Sequence, residues 1–161
     1  AGQILHQLAS AAGAGKVWLL TRSQEKRDLA LKLGVDEALN PQEVDLKDFD
    51  FDVVVDAVGS SQVVEQGLKC LARRGRLIIF GQAPEGDHAN IDLFDLLMRE
   101  ISIVPSFINP YTCSQAIRLL EHKKIDVESI VSHTMALDDL QQGFDLHTKK
   151  VPGTLKVVLK P

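Results

Sequence analysis

The sequence has little of what marks a metal centre, a disulfide-bonded protein or a membrane protein. Its two cysteines, Cys70 and Cys113, are too few for a four-ligand metal cluster or a dense disulfide framework. No apolar run approaches the ~20 residues that a membrane-spanning helix needs. The N-terminus shows no basic segment followed by an apolar one, so no signal peptide is visible. We therefore expect a cytoplasmic protein with no membrane partner.

Excess positive charge and clustered histidines are also lacking. The formal net charge is −4, so there is no general basic field for nucleic acid, and we expect no nucleic-acid partner. The five histidines are dispersed, without the close spacing of metal ligands or a neighbouring cysteine. We predict no metal site in this chain and assign no catalytic residue to it.

The chain begins abruptly, inside a helical pattern. Ile4, Leu5, Leu8, Ala9 and Ala12 have the spacing of one helical face. No initiator methionine stands before this helix, and a domain rarely begins inside one. We expect the chain to be part of a longer protein.

Strand and helix patterns alternate along the chain. The short apolar runs typical of buried parallel strands are at 17–20, 53–55, 77–80, 101–104 and 155–159, and a further short segment lies at 130–135. Strands that alternate with helices of this length predict βαβ units. The expected fold class is α/β, with a doubly wound, mostly parallel sheet flanked by helices.

Capping residues and glycines set the predicted helix ends. Ser23 caps a helix that ends at Gly34, and Ser60 or Ser61 caps the next one. Asp138 is predicted to cap the last helix. The remaining helices are predicted at 2–12, 91–98 and 112–122, and the last one at 139–148. Gly75 is expected to separate the third helix from the strand at 77–80.

A glycine pair, Gly13 and Gly15, suggests a phosphate-binding loop at first sight. A dinucleotide fingerprint, however, follows a strand and opens a helix, so that backbone N–H groups at the helix start point at the pyrophosphate. Here the glycines follow a helix and precede a strand. We interpret them as a helix end and a tight turn.

Arg22 is the better candidate for reading a phosphate. Gly2 stands where the last glycine of a G-x-G-x-x-G fingerprint would stand, and Arg22 lies 20 residues after it. An acid at that distance would bind the ribose 2′-hydroxyl, whereas an arginine accommodates a 2′-phosphate. Positions 17–24 contain no acid, Thr21 adds a hydroxyl, and Lys26 follows one helical turn later. The pattern favours NADP(H) over NAD(H); a solvated helix start is the alternative interpretation.

Several segments together resemble one family, the zinc-binding medium-chain alcohol and polyol dehydrogenases. These segments are AGQILHQLASAAGAGKVWLLTRSQEKRDLALKLGVDEALNP, FDVVVDAVGS, GRLIIFGQ, the stretch from SFINPYTC to GFDL, and the ending GTLKVVLKP. Their order and spacing match the coenzyme domain of that family from end to end. Residues 106–146 are most similar to the sorbitol, arabitol and threonine dehydrogenase branch.

The resemblance implies how the chain is organised. Residues 1–135 would be a Rossmann domain that lacks its first strand. Residues 136–161 would be a helix and strand that pack on a GroES-like catalytic domain outside this chain. That absent domain would carry the zinc and the catalytic residues.

The resemblance also implies a set of cofactor contacts. Gly2 would be the last fingerprint glycine, and Thr21 with Arg22 would occupy the position that selects between NAD and NADP. The residues flanking the adenosine side would be Val58 and Gly59, and those lining the nicotinamide end would be Phe80, Gly81, Gln82, Ser106 and Phe107.

These expectations describe the cofactor half of an NADP(H)- and zinc-dependent oxidoreductase acting on secondary alcohols or polyols. The intact protein would be a homodimer or homotetramer, and this part alone would be inactive. A zinc-free reductase of the quinone or enoyl type is an alternative that ligands in the absent domain would decide. A non-catalytic nucleotide-binding module is another. A methyltransferase would normally carry an acid after its second strand, and none is present.

Overall fold

The computed structural model describes residues 1–107, 111–149 and 151–161. These residues form two compact units, one of residues 1–40 and 112–161 and the other of residues 41–111. The predicted boundary after residue 135 separates a Rossmann domain from a segment expected to pack on a catalytic domain. The division into these two units does not test it, so it stays a prediction. Within the described ranges, no helix combines the length and the apolar character needed to cross a bilayer.

The first unit contains two separate pairs of parallel strands. Its elements are α1 (Gly2–Ala11), β1 (Trp18–Leu20), α2 (Gln24–Lys32), β2 (Glu37–Leu39), α5 (Cys113–Glu121), β6 (Val131–Ala136), α6 (Leu140–Thr148) and β7 (Lys156–Lys160). β1 pairs with β2, and β6 pairs with β7.

The helix after β1 follows its sequence signals closely. The Ser23 hydroxyl accepts a hydrogen bond from the Lys26 N–H, as expected of an N-cap. Gly34 follows the helix with a φ of 89°, a conformation that favours glycine. Ala30 is fully buried and packs with Val17 and Val35. The chain is thereby reversed tightly between β1 and β2.

The aliphatic face of α1 is not its most buried side. The structure buries Gln3, His6 and Gln7, whereas Ile4 is exposed. The cause is a set of hydrogen bonds to distant backbone. The Gln7 amide donates to the Asp126 carbonyl at 3.0 Å and accepts from the Asp126 N–H at 2.6 Å. A polar side chain can be buried when its polar atoms are satisfied in this way.

Two further local predictions fail in this unit. Strand β2 was not expected, because its three residues sit between a helix end and a polar loop and carry no strand pattern of useful length. The last helix is not capped by Asp138, which lies in a 3-10 turn, Leu137–Asp139. Asp139 takes the N-cap position instead, without a side-chain cap hydrogen bond.

The second unit is a three-stranded parallel sheet with helices on one face. It comprises β3 (Phe51–Asp56), α3 (Ser61–Lys69), β4 (Leu71–Ile79), α4 (Leu93–Arg99) and β5 (Ser102–Pro105), with strand order β3-β4-β5. Within the described ranges, β3 and β5 each pair on one side only. The α/β class with parallel strands flanked by helices is confirmed.

The core of this unit lies between the sheet and its helices. Val64 and Leu68 of α3 pack on Leu71 and Leu77 of β4. Arg99 ties α4 to the same region, because its guanidinium donates to the Leu71 carbonyl at 2.8 Å and to the Leu68 carbonyl at 3.0 Å. These bonds occupy carbonyls at the α3–β4 junction.

Two boundaries in this unit are informative. Ser60, rather than Ser61, is the N-cap of α3, and its hydroxyl accepts from the Val63 N–H. Gly75 does not separate helix from strand, since β4 begins at Leu71 and includes it. A Cβ on Gly75 would lie 2.8 Å from the Ala72 carbonyl oxygen, so the strand bends tightly there.

Candidate nucleotide-binding site

The first group of candidate residues surrounds the turn between β1 and α2. The Thr21 N–H donates to the Leu39 carbonyl at 2.9 Å, which places Thr21 at the carboxyl end of the parallel pair. Arg22 follows in an exposed position, and Lys26 lies in the first turn of α2. In open parallel sheets this edge is where ligands bind.

A neighbouring side chain holds that turn from the helix side. The Arg27 guanidinium donates from Nη1 to the Thr21 carbonyl at 2.7 Å and to the Arg22 carbonyl at 2.9 Å. Its Nη2 donates to Gln24 Oε1 at 2.5 Å. The backbone carbonyls of the turn are therefore already satisfied.

The positive charge of the turn is not neutralised locally. The guanidinium of Arg22 and the ammonium of Lys26 make no hydrogen bond or ion pair with any residue that the structure describes. The nearby acids are engaged elsewhere, since Glu25 accepts from the Gly153 N–H at 2.8 Å and Asp28 accepts from the Gln24 amide at 2.7 Å. The turn thus presents two cations that no described residue pairs.

Gly2 is connected to this turn through the start of α1. A Cβ on Gly2 would lie 3.2 Å from Leu19 Cδ1, so the helix start approaches β1 closely. The next residue, Gln3, donates from Nε2 to the Lys26 carbonyl at 2.6 Å. The first turns of α1 and α2 are joined by this bond, and all four candidates of the first group belong to one unit.

The second group of candidates is built around a buried carboxylate, Asp56, at the end of β3. Its Oδ1 accepts from the Val58 N–H at 2.8 Å and from the Gly59 N–H at 3.0 Å. Its carbonyl accepts from the Phe80 N–H at 3.0 Å and from the Gly81 N–H at 2.8 Å. One residue therefore fixes the turns after both β3 and β4.

These two turns pack backbone against backbone. Gly59 has a φ of 79°, and a Cβ there would lie 2.4 Å from the carbonyl carbon of Gln82. A Cβ on Gly81 would lie 2.1 Å from the Gly59 nitrogen. Both distances are far below van der Waals contact. Glycine is required at both positions because the neighbouring atoms are main chain, which cannot rotate away.

Several candidate side chains stand exposed at the same edge of the sheet. Val58 is 68% exposed and Phe107 is 84% exposed. Phe80 is also exposed, directly after β4. The Ser106 N–H donates to the Ile79 carbonyl at 2.9 Å, which extends the β4–β5 pairing by one residue. Exposed apolar side chains beside fixed turns form a surface that a flat aromatic ligand could cover.

The loop at 82–90, which follows this edge, is tied to α3. Asp87 accepts from the Ser61 N–H at 2.7 Å, and hydrogen bonding with the Ser61 side chain, then with its N–H, lowers the pKa of the Asp87 carboxyl. Glu65 accepts from the Asn90 N–H at 2.7 Å. The loop start at Gln82 is held between these bonds and the contact with Gly59.

Sequence reasoning missed two residues that shape these turns, Asp56 and Arg27. An acid three residues before a glycine at a strand end is a recognisable turn signal for Asp56. Nothing local distinguishes Arg27 from any solvated arginine in a helix start. Within the described ranges, no cluster of three or more histidine, cysteine or acidic side chains is arranged to hold a metal ion.

Comparison with protein families gives a match over most of the chain. A family model described as zinc-binding dehydrogenase matches residues 1–122. D-arabinitol dehydrogenase 1 of Uromyces fabae is 28% identical over 99% of this chain and 48% of its own length. Sorbitol dehydrogenase of Halalkalibacterium halodurans is 26% identical over 88% of this chain and 43% of its own. The chain thus spans about half the length of the curated relatives it matches.

Solved structures give the same picture of the fold. A structure from Sinorhizobium meliloti 1021, described as a zinc-binding dehydrogenase bound to NADP, is 29% identical and has a TM-score of 0.91 over 99% of this chain and 50% of that one. A structure from Escherichia coli CFT073, described as an alcohol dehydrogenase complexed with NADH, has a TM-score of 0.88 over 98% of this chain and 48% of that one. At 19% identity the second likeness shows the fold alone.

Proposed function

The chain belongs to the zinc-binding dehydrogenases, as part of their Rossmann coenzyme domain, and from this premise we propose that it binds NADP(H) in an alcohol or polyol oxidoreductase. The relatives named for arabinitol and sorbitol support a polyol or secondary alcohol as the substrate class. Since this chain covers about half of their length, the catalytic zinc and the catalytic residues would lie in a GroES-like domain outside it.

The observation that carries the cofactor proposal is the unpaired charge beside Thr21. In the described part of the chain Arg22 and Lys26 have no acidic partner, and positions 17–24, where an acid would bind the ribose 2′-hydroxyl, contain none. A planar guanidinium suits a phosphate dianion. A charged hydrogen bond of this kind contributes about 1.5–3 kcal/mol, or roughly 10- to 150-fold in affinity. The turn fits the 2′-phosphate of NADP(H).

The remaining contacts follow from the fixed turns. When bound, NADP(H) supplies the hydride chemistry. In this chain the residues that would hold it are Gly2 at the helix start, Thr21, Arg22 and Lys26 around the 2′-phosphate, Val58 and Gly59 at the adenosine side, and Phe80, Gly81, Gln82, Ser106 and Phe107 at the nicotinamide end. The close approach of Gly59 and Gly81 supports this assignment, because neither residue has a side chain that could stand between the turns and a ligand.

Two statements on organisation belong to the same proposal. The first strand of the Rossmann sheet lies outside this chain, and residues 136–161 pack on the catalytic domain. β3 pairs on one side only within the described ranges, as a strand beside an absent neighbour would.

The intact protein is proposed to be a homodimer or homotetramer. α4 exposes Leu93, Phe94 and Leu97, and the adjacent strand β5 pairs on one side only within the described ranges. An exposed strand edge beside an apolar helix surface is suited to pairing with its copy across a two-fold axis.

The cofactor proposal is tested with Arg22→Asp in the full-length protein. The wild type is expected to bind NADPH at least about tenfold more tightly than NADH. The substitution replaces attraction of the 2′-phosphate by repulsion and offers the ribose hydroxyls an acceptor, so the order should reverse. Fluorescence titration with both cofactors measures this.

The matched control is Arg73→Asp, which changes the same charge at an exposed arginine of the other unit. It should leave the ratio of the two affinities unchanged. Equal affinities of the wild type for NADPH and NADH would overturn the proposal.

A further inference from the structure

Arg27 uses its guanidinium in an unusual way for a helix-surface arginine. It reaches back five and six residues, out of its own helix, to the carbonyls of Arg22 and Thr21 at 2.9 and 2.7 Å. A third hydrogen bond goes to the neutral amide oxygen of Gln24. An arginine on a helix can also pair with an acid three or four residues away, which stabilises the helix. Here the guanidinium donates to two backbone carbonyls of the preceding turn.

The same contacts leave the charge of Arg27 without a carboxylate partner. Within the described residues, no acid lies within ion-pair distance of it. Asp28 directly follows Arg27, so the two side chains do not face each other on the helix, and it accepts from Gln24. Positions 23, 24, 30 and 31, which lie one turn from Arg27, carry no acid. The arrangement therefore points to the turn, rather than to α2, as what Arg27 serves.

The turn itself has no other side-chain support on its carbonyls among the described residues. Thr21 is the last residue of the β1–β2 pairing, through its N–H to Leu39. Ser23 is already the N-cap of α2. Between these two fixed points, Arg22 is held through its carbonyl by Arg27. The backbone that carries the Arg22 side chain is therefore defined by a second arginine.

We propose that Arg27 is a positioning residue for cofactor selection, which fixes the Thr21–Arg22 turn so that the Arg22 guanidinium is presented to the 2′-phosphate. This inference rests on the proposed binding of NADP(H) at the turn. Arg27 does not touch the phosphate; it acts through Arg22. Ordering the turn before binding removes an entropy cost that would otherwise weaken the contact.

A double-mutant cycle with Arg22→Ala tests this in the full-length protein. Arg27→Met removes the donors and keeps the length of the stem, and Arg27→Lys keeps the charge but not the planar fork. In the wild-type background both variants should weaken NADPH binding by about tenfold, the loss of one well-formed charged hydrogen bond, and leave NADH binding unchanged. In the Arg22→Ala background both should change NADPH affinity by less than about twofold, since the residue they act through is gone.

The control is Lys32→Met, which removes a positive charge at the other end of the same helix and should alter neither affinity. Unchanged NADH affinity shows that each variant is folded. If Arg27→Met loses NADH affinity, the test of the positioning role rests on Arg27→Lys. Equal weakening in both backgrounds, or full NADPH affinity in Arg27→Lys, would overturn the positioning role. A wild type without preference for NADPH would overturn the proposed function as well. If the wild type prefers NADPH but the effects of the Arg22 and Arg27 substitutions on NADPH affinity are additive, only the positioning role is overturned.

Discussion

At the residue scale, the second group of the site depends on two positions where no side chain fits. The main chains of Gly59 and Gly81 are in close contact, and Asp56 accepts hydrogen bonds from the N–H groups of both turns. Asp56 is almost completely buried, and its carboxylate satisfies two N–H groups that would otherwise be unpaired. The conformation of the turns after β3 and β4 is therefore set by main-chain contacts and by the Asp56 carboxylate.

Gly81→Ala is expected to destabilise the second unit. The added methyl would lie 2.1 Å from the Gly59 nitrogen, so one of the two turns must move. Overpacking of this kind costs about 1–3 kcal/mol, and the upper end applies because both partners are main chain. Urea denaturation would measure the free energy of unfolding.

Gly15→Ala is the matched control for this substitution. A Cβ on Gly15 would meet nothing within 4 Å, and its turn is assigned no phosphate contact. Its free energy of unfolding should change by less than about 0.5 kcal/mol, with cofactor affinity unchanged. If Gly81→Ala had the free energy of unfolding of the wild type, the two turns could move apart to admit a methyl group, contrary to this prediction.

Sequence reasoning at this scale could find positions but not the contacts between them. Arg22 was identified by its distance from Gly2 and by the lack of an acid. Arg27 was not, because its partners are carbonyls, which every residue carries and no sequence pattern marks. The close approach of Gly59 to Gly81 joins segments 22 residues apart and could not be read from either glycine alone.

At the element scale, α1 is the clearest departure from expectation. A periodicity count favours its aliphatic side, yet the buried side carries Gln3, His6 and Gln7. The partner of Gln7 is the backbone of Asp126, 119 residues away. By contrast, the caps at Ser23 and Ser60 were predictable, since capping is a local interaction.

The buried histidine of α1 makes the stability of the first unit depend on pH. His6 Nε2 lies 3.0 Å from Gln3 Oε1, and its Nδ1 is buried without a partner among the residues that the structure describes. Burial lowers the pKa of His6 below its ordinary value, because a buried imidazolium would lose its hydration. Below about pH 6.5 the unfolded chain therefore binds a proton that the folded chain resists.

We expect the contribution of His6 to stability to be fully present above about pH 6.5 and to be lost progressively as the pH falls below it. Urea unfolding between about pH 5 and 8 measures this, and His6→Gln should flatten the dependence. His122→Gln, at an exposed position, is the control and should keep it. The same slope in His6→Gln as in the wild type would assign the pH dependence to other groups.

At the scale of the whole molecule, the second unit leaves large apolar surfaces uncovered. On the sheet face opposite the core, Val55, Ile78 and Val104 lie in register across three strands, and two of them are exposed. Parallel sheets are normally covered on both faces. On the helical side, Leu93, Phe94 and Leu97 of α4 are exposed as well.

Leu97→Glu is expected to disrupt the proposed assembly. Leu97 is 74% exposed and lines an open hollow with Leu96, Ile101 and Ile103, beside the edge of β5. A carboxylate there would be desolvated in a two-fold interface, at a cost of several kcal/mol. Light scattering on the full-length protein should show the molar mass falling by a factor of two or more.

Leu31→Glu, at an exposed leucine of α2 in the first unit, is the matched control and should keep the wild-type mass. A wild type that is a monomer at all concentrations would contradict the proposed assembly. An unchanged mass of Leu97→Glu in an oligomeric wild type would place the interface elsewhere.

The hydrogen bonds of Arg27 have a consequence for how cofactor preference can change over evolutionary time. Since Arg27 bonds the carbonyls of Thr21 and Arg22 and not their side chains, residues other than proline can occupy those two positions without losing these bonds. The backbone of the Thr21–Arg22 turn can therefore stay the same while its two side chains change. A lineage could pass from one cofactor to the other by substitutions at these two sites alone, through intermediates that remain folded.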